Sequence, residues 1–273
     1  MTNLESGARG VVRRQYLDGR FGQLHLRIAK PATALRPPLL CFHMSPHSGR
    51  IYQRFMAAMA TDRIVVAPDT PGFGESDPPP RRPTIEDYAA AMGDLIDALG
   101  FHAVDVMGYH TGSETCTALA LQRPRQVRRA VLVSAPIFTA EELVEFRAHY
   151  GPTQLTADGS HLAKKWQGHV RWSAPGRTLE MVAEGFADAV RNPSISWWGH
   201  AAAFDYDMGG QLQKVAQPVL VLDPDDDLHE HTQRARGILR QGRIQHLPGW
   251  GHGMLDLHTD ELREIVAQFL DAP

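Results

Sequence analysis

The segment that decides the fold reads Val104-Asp105-Val106-Met107-Gly108-Tyr109-His110-Thr111-Gly112-Ser113. Its first half is a short apolar run typical of a buried strand, and the small residues that follow favour a helix. Gly108 and Gly112 allow the chain to turn sharply between the two elements, which exposes the side chain of His110. The turn also directs the backbone N–H of Thr111 toward the same point, where it can stabilise a developing oxyanion. The segment therefore predicts a strand–turn–helix unit that presents a reactive side chain.

Around this unit, short β-rich runs alternate with helical segments, an order that indicates an α/β protein with a mostly parallel, eight-stranded sheet flanked by helices. The first two runs are expected to form an antiparallel hairpin that turns at Asp18-Gly19. The predicted strands are Val11–Tyr16, Gln23–Ile28, Leu39–His43, Ile64–Pro68, Val104–Gly108, Ala130–Ser134, Val219–Asp223 and Arg243–Leu247. Apolar residues at helical spacing predict one helix between Thr84 and Gly100 and another after Thr259.

One long interval breaks this alternation. Residues 138–214 contain helical stretches such as Glu141–His149 and Thr178–Val190, separated by turns and without a convincing strand. We interpret the interval as a helical cap inserted after the sixth strand, between core segments 1–137 and 215–273. Ligands of open α/β sheets bind at the carboxyl ends of the strands, so the cap is expected to cover a site there. Tryptophans of the cap could line an apolar pocket or pack within the cap itself.

Composition narrows the range of partners. The 273-residue chain is 43% hydrophobic and 22% charged, with a net charge of -3 and no polybasic run. It therefore gives no reason to expect nucleic acid or a membrane as partner, and a small-molecule substrate is expected. Cys41 and Cys116 read as buried thiols, and no apolar signal segment is visible at the N-terminus, so a cytoplasmic location is expected. A homodimer remains possible.

Four further segments follow in a recognisable order. Leu39–Pro46 is a strand that ends in a histidine-led loop, and Ala67–Asp77 is a Pro-Asp-Thr-Pro-Gly-Phe-Gly segment after the next strand. Pro218–Asp227 is a strand that runs into an acidic turn, and Gly249–Gly253 is a Gly-Trp-Gly-His-Gly loop after the last strand. With the turn at His110, these segments resemble the α/β-hydrolase-fold superfamily, and specifically its capped serine esterases and carbon–carbon hydrolases, over nearly the whole chain.

The resemblance implies a site made of a nucleophile, an acid and a histidine, which fall here on His110, Asp227 and His252 in the superfamily's own order. It also implies an oxyanion loop at His43, Met44 and Ser45, in which the Ser45 N–H would act with that of Thr111. Two positions depart from the pattern: His110 stands where relatives carry a serine nucleophile, and Met44 replaces the glycine of the oxyanion loop. Asp225 and Asp226 are weaker candidates than Asp227 for the acid.

Several roles stay open at this stage. His110 either takes part in catalysis or fills a degenerate turn, and His43 either contacts substrate or braces the loop through hydrogen bonds. Ser45 is an oxyanion donor or a displaced nucleophile, whereas Ser113 is expected to pack inward. The run Asp225–His231 carries metal-ligand residue types, but its spacing matches no ordinary zinc or calcium signature. Neither a metal nor another cofactor is therefore predicted.

The sequence thus favours a cofactor-free hydrolase of a small ester, thioester or activated carbon–carbon bond. His252, oriented by Asp227, would act as general base, and His110 would position substrate and water or form an acyl intermediate. A lyase, a decarboxylase or a cofactor-independent oxygenase on the same fold is the alternative, because such reactions need no serine. A non-catalytic receptor that holds a small ligand under the cap is a third possibility.

Overall fold

The computed structural model describes residues 10–273, and the N-terminal residues that carry the expectation about a signal segment lie almost entirely outside this range. Eight strands form one sheet in the order β1-β2-β4-β3-β5-β6-β7-β8. The two pairs formed by β2, with β1 and with β4, are antiparallel, and the other pairs are parallel. The strands are β1 Val12–Gly19, β2 Gly22–Ala29, β3 Leu39–Phe42, β4 Val65–Pro68, β5 Val104–Tyr109, β6 Val127–Val133, β7 Val219–Pro224 and β8 Gly242–Leu247. The predicted mostly parallel, eight-stranded α/β sheet is confirmed.

Helices flank the sheet on both faces and fill the interval between β6 and β7. A short 3₁₀ helix, Gly49–Tyr52, precedes the first of them. The helices are α1 Gln53–Met59, α2 Ile85–Ala98, α3 Thr111–Gln122, α4 Ala140–His149, α5 Ser160–Arg171, α6 Leu179–Ala189, α7 Trp198–Phe204, α8 Met208–Leu212, α9 His229–Gln233, α10 Met254–Leu257 and α11 Thr259–Leu270.

Alternate side chains of the buried strands feed two apolar layers. In β3, Leu40 and Phe42 join the layer beneath α2 and α3, whereas Leu39 and Cys41 join the layer beneath α1 and α11. Because both faces of these strands are covered, their sequences are continuously apolar rather than alternating. This layering holds the carboxyl end of β5, and with it His110, at a fixed place between the helices. Cys41 and Cys116 are buried free thiols, as predicted.

The helix predicted after Thr84 is confirmed and begins with a capping box. The Thr84 hydroxyl accepts a hydrogen bond from the Asp87 N–H, and the Asp87 carboxylate accepts one from the Thr84 N–H. The two contacts satisfy backbone donors that the first turn of a helix leaves free. The helix ends before Gly100, which adopts a φ of +70°.

The predicted hairpin turn is wrong by two residues. Strand β1 continues through Asp18 and Gly19, which pair with Gln23 and Gly22, so the turn consists of residues 20 and 21. The left-handed conformation that the connection requires falls on Gly22, whose φ is +109°. Asp18-Gly19 resembles a type I′ turn in sequence, but the pairing register of the two strands decides where the chain reverses.

Five helices, α4 to α8, occupy the interval between β6 and β7 that we interpret as a cap. No residue of α4 or α5 is buried, in contrast to α3, in which ten of twelve residues are. The interval nonetheless contacts the core, since Arg177 packs against Gly253 and the Ser173–His252 bridge joins the two parts. Within the described chain, no helix is long and apolar enough to cross a bilayer.

Candidate active site

The turn after β5 is the structural centre of the site. His110 adopts φ 49° and ψ -116°, a conformation that L-residues rarely take. Such strain costs on the order of 1–3 kcal/mol and persists only where surrounding packing enforces it. Ser134, which follows the adjacent strand β6, also has a positive φ of 55°. Both residues contact the same carboxylate, so the strained backbone coincides with the polar centre.

Two glycines make this turn possible because the chain passes close to itself. A Cβ atom at Gly108 would lie 2.0 Å from the Gly112 carbonyl oxygen. A Cβ atom at Gly112 would lie 2.0 Å from the Phe42 carbonyl oxygen at the end of β3. Any larger residue would therefore force β5, α3 and β3 apart. The Gly-x-His-x-Gly pattern is thus explained by packing, and the sharp turn expected from it is present.

The acidic turn after β7 and the loop after β8 bring Asp227 and His252 together. His252 Nε2 lies 2.7 Å from Asp227 Oδ1, a hydrogen-bond distance. Burial opposes ionisation of Asp227, but the hydrogen bond to His252 and the positive charges of His110 and His252 outweigh it. The pKa of Asp227 is therefore well below its usual value, and the carboxylate is charged beside the imidazole at neutral pH.

His110 has a carboxylate partner of its own, which is Asp226. His110 Nε2 lies 3.1 Å from Asp226 Oδ2 and 3.9 Å from Asp227 Oδ1. Burial lowers the pKa of His110, but the hydrogen bond to Asp226 and the charges of both carboxylates outweigh this and raise it. His110 thus remains protonated to a higher pH than free imidazole. A cation at the N-terminus of α3 is disfavoured by the helix dipole, which Asp226 offsets.

Asp226 is held by donors on all sides. Its Oδ2 accepts hydrogen bonds from the Ser134 hydroxyl at 2.6 Å and the Tyr109 hydroxyl at 3.3 Å, and its Oδ1 accepts one from the Leu228 N–H at 2.9 Å. The Asp226 side chain has no exposed surface. Burial raises its pKa, but the hydrogen bond to His110, the charges of both histidines and the Ser134 contact outweigh burial. The pKa of Asp226 therefore lies below its usual value. These contacts keep a buried carboxylate ionised and fix the imidazole of His110.

The two pairs face each other. The ring centroids of His110 and His252 are 5.3 Å apart, and each imidazole uses Nε2 toward its carboxylate. Neither Nδ1 atom hydrogen-bonds to any residue that the structure describes. The arrangement therefore consists of two adjacent Asp–His pairs, each with one free ring nitrogen, rather than one pair and a hydroxyl.

A cavity of about 230 Å³ opens onto His110 and Asp227 from the side of the interval between β6 and β7 that we interpret as a cap. Its apolar wall comes from the interval between β6 and β7 and consists of Phe138, Phe146, Tyr150, Trp172 and Phe204. His200 also lines it, and burial together with the nearby charge of His110 lowers the pKa of His200 to about 4. A neutral His200 and five aromatic rings suit a small, largely apolar substrate.

The predicted oxyanion donors border this cavity. Thr111 is the first residue of α3, and its backbone N–H has no hydrogen-bond acceptor among the described residues. Ser45 also lines the cavity, and its hydroxyl lies so close to Gly199 of α7 that a Cβ atom there would be 2.0 Å away. A helix N-terminus directed at a cavity stabilises negative charge.

Met44 and His43 lie elsewhere. Met44 lines a second cavity, of about 250 Å³, together with Tyr109 and Arg177. His43 is 2% exposed, and both of its ring nitrogens are used: Nδ1 lies 2.9 Å from the Met44 carbonyl oxygen, and Nε2 accepts a hydrogen bond from the Thr70 N–H. This is the bracing arrangement that was left open for His43. Ser113 is fully buried, and its hydroxyl donates to backbone carbonyls.

Sequence reasoning missed the roles of Asp226, Ser134 and Tyr109. The sequence offers Asp226 only as an alternative acid for His252, whereas the structure places it against His110. The available signal was the presence of two candidate histidines, His110 and His252, together with the acidic run Asp225–Asp227. Each imidazole needs a hydrogen-bond acceptor of its own, so two of these acids could be expected to serve the two histidines. Ser134 and the aromatic wall carry no local motif and are brought to the site by the order of the strands.

Known proteins of similar sequence agree with this architecture. The sequence profile of the α/β hydrolase fold matches residues 37–259. An uncharacterised protein of Mycobacterium tuberculosis is 32% identical over 259 residues, which cover 86% of this chain and 75% of that protein. The carboxylesterase YbfK of Bacillus subtilis is 28% identical over 74% of this chain and 76% of its own length. A fluoroacetate dehalogenase of Burkholderia is 26% identical over 86% and 87%, respectively.

Solved structures show the same fold at lower identity. An esterase of Exiguobacterium antarcticum superposes with a TM-score of 0.82 at 16% identity and covers 95% of this chain and all of that one. A hydrolase of Pseudomonas aeruginosa gives a TM-score of 0.81 at 20% identity, with coverage of 95% and 99%. With a profile match over most of its length, this chain belongs to the α/β hydrolase fold family.

Proposed function

We propose that the protein is a hydrolase of a small ester, thioester or activated carbon–carbon bond in which two Asp–His pairs carry the proton transfers. The supporting observation is the pairing of His252 with Asp227 at 2.7 Å and of His110 with Asp226 at 3.1 Å, one member of each pair, Asp227 and His110, lining the same cavity. Paired imidazoles with fixed carboxylates suit general acid–base work. The fold, shared with esterases and a dehalogenase, agrees with this chemistry.

In the proposed mechanism, His252 is the general base. Asp227 holds its Nε2 and stabilises the imidazolium that forms when Nδ1 takes a proton from water. The water oxygen attacks the substrate carbonyl carbon, and the carbonyl oxygen becomes negatively charged. The backbone N–H groups of Thr111 and Ser45 stabilise that oxygen, as in other oxyanion holes.

His110 is the acid of the pair. Because the hydrogen bond and charge of Asp226 raise its pKa above that of free imidazole, a larger fraction of His110 is protonated at a given pH, and its Nδ1–H can donate to the developing oxyanion or to the leaving group. A protonated imidazole is a poor nucleophile, and this favours positioning and proton donation over a covalent acyl intermediate. Trapping a covalent adduct on His110 by mass spectrometry would contradict this assignment.

The testing experiment measures turnover of p-nitrophenyl esters and acyl thioesters of graded size. The wild type is compared with His110→Ser, His252→Ala and the control His102→Ala. His102 is an exposed histidine that precedes the first residue of β5, at the end of the strand away from His110. We expect turnover by the wild type and the control and a loss of roughly 10²–10⁴-fold in the two site variants.

The alternative outcomes are informative. If only His110→Ser hydrolyses esters, the scaffold supports hydrolysis, but the natural reaction of the histidine form differs. Assays of lyase and decarboxylase reactions in ¹⁸O-labelled water would then follow, because hydrolysis incorporates the label into product and those reactions do not. Ligand binding without turnover that survives His252→Ala would instead support a receptor.

A further inference from the structure

Three side chains of metal-binding type meet outside the catalytic cavity. Asp223 lies near the end of β7, His229 is the first residue of α9, and His246 lies in β8. One ligand atom from each lies within 4.8 Å of the other two. His229 Nδ1 is 3.0 Å from Asp223 Oδ1, and the two imidazole centroids are 5.1 Å apart. Three separate elements thus converge on one point at the outer edge of the sheet.

Asp223 contacts the titratable imidazole of His229 and the amide of Gln233 but no permanently charged cation among the described residues. Its side chain has no exposed surface, and no Lys or Arg within the described residues forms an ion pair with it. A buried carboxylate is costly unless a cation or several hydrogen bonds compensate it. The His229 and His246 side chains are 36% and 43% exposed, so solvent and ions reach the group from one side.

The surrounding contacts orient these side chains as in metal sites. Asp225 Oδ1 lies 2.8 Å from His246 Nε2, which leaves His246 Nδ1 free to bind an ion. Asp225 is itself fixed by the Gly249 N–H at 2.6 Å. Gln233 donates to the Asp223 oxygen that His229 does not contact. A carboxylate on the far nitrogen of a ligating histidine is a recurrent feature of metal centres.

We propose that Asp223, His229 and His246 bind a divalent transition-metal ion, for which Zn²⁺ is the best match. Two imidazoles and one carboxylate are ordinary zinc ligands, and water would complete the tetrahedron from the exposed side. The ion would cross-link β7, α9 and β8 at the turn whose next residues, Asp226 and Asp227, hold the catalytic histidines. Its role is to stiffen that turn, and it takes no part in the reaction.

One other group must be separated from this one. Ligand atoms of His110, Asp226, Asp227 and His252 also lie within 4.8 Å of one another. In that group Nε2 of each imidazole contacts a carboxylate directly, and neither Nδ1 has a carboxylate behind it among the described residues. Of these two groups, only the edge cluster, Asp223, His229 and His246, has a histidine whose second ring nitrogen contacts a carboxylate outside the group, that of Asp225.

The experiment is equilibrium dialysis of the full chain against ZnCl₂, followed by elemental analysis, with a parallel calorimetric titration. We expect one Zn²⁺ per chain in the wild type. Binding should weaken by more than roughly 100-fold in the double variant His229→Gln/His246→Gln and by about 10–100-fold in Asp225→Asn. His102→Gln is the matched control. Because both substituted histidines are partly exposed, these variants should fold, and circular dichroism checks this.

A second double variant, His110→Ala/His252→Ala, decides between the two clusters. Under the proposal it binds Zn²⁺ as the wild type does, and Zn²⁺ raises its Tm, whereas the Tm of His229→Gln/His246→Gln does not rise. If Zn²⁺ binding is lost in His110→Ala/His252→Ala and kept in His229→Gln/His246→Gln, the proposal is overturned. Absence of binding by the wild type at about 100 micromolar Zn²⁺ overturns it as well, because structural zinc sites bind with about 10 kcal/mol or more. Neither readout depends on turnover, so failure of the proposed hydrolase activity is a separate result.

Discussion

The acidic turn at the end of β7 serves two histidine clusters that differ in burial. On the cap side, Asp226 and Asp227 hold His110 and His252, whose side chains are each 16% exposed. On the outer edge, Asp223 and Asp225 hold His229 and His246, whose side chains are 36% and 43% exposed.

The same residue types thus lie in two environments. On the cap side, low solvent access strengthens the fields of the carboxylates and shifts pKa values, as catalysis requires. At the edge, the two imidazoles and Asp225 are open to solvent and ions, although the Asp223 side chain has no exposed surface. The comparison teaches that the exposure of the histidines, and not the identity of the residues, separates the two roles that we propose.

The largest expected effect breaks the cap-side cluster. Asp227→Asn should reduce kcat by about 10⁴-fold, because an amide cannot stabilise the imidazolium of His252 and favours the wrong tautomer. For the neighbouring substitution Asp225→Asn, on the edge side, we expect the reduction in kcat to be at least a hundredfold smaller than for Asp227→Asn, that is, about 10²-fold or less. Steady-state kinetics on the best ester of the panel measures both, and equal losses would remove the distinction between the clusters.

The next largest effect concerns the backbone turn that carries His110, a member of the cap-side cluster. Gly112→Ala places a Cβ atom 2.0 Å from the Phe42 carbonyl oxygen, and we expect it to cost more than about 4 kcal/mol of unfolding free energy or to prevent folding. Gly168→Ala in α5, where a Cβ atom meets nothing within 4 Å, should stabilise by up to about 1 kcal/mol. Urea unfolding measures both, and near-native stability of Gly112→Ala would contradict the close packing of the turn.

A third prediction tests the raised pKa of His110. Because that pKa lies above the ordinary 6.5, the charged imidazole contributes stability that is fully present below pH 6.5 and is lost as pH rises through the folded pKa. The difference in unfolding free energy between wild type and His110→Gln should therefore shrink from pH 6 to pH 9, by about 1.4 kcal/mol for every tenfold gain in proton affinity on folding. A difference that grows with pH would show that His110 is neutral beside Asp226.

The smallest effect lies at the edge. His246→Gln removes the half-exposed contact with Asp225, and we expect it to cost less than about 1 kcal/mol in the presence of a chelator, because water screens such pairs. Urea unfolding with EDTA measures this. A loss above about 2 kcal/mol without metal would mean that the edge cluster is a folding element in its own right.

Much of the fold followed from the chain itself. Short β-rich runs predicted all eight strands, and the central strands are apolar throughout because both of their faces are buried. The Gly-x-His-x-Gly turn was predicted from its two glycines, and the structure gives the reason, since a Cβ atom at either glycine would lie 2.0 Å from a backbone carbonyl oxygen. The hairpin turn was misplaced because its position depends on the pairing register of the strands, which local sequence does not record.

What the sequence by itself determined was therefore the fold, the strained turn at His110 and the candidate residues His110, Asp227 and His252. The tertiary structure decided which carboxylate each histidine meets. Asp225, Asp226 and Asp227 are the same residue type, but the backbone of one short turn directs their side chains to His246, His110 and His252, respectively. The direction of each side chain follows from the backbone of the sheet and from burial, and the residue type alone does not determine it.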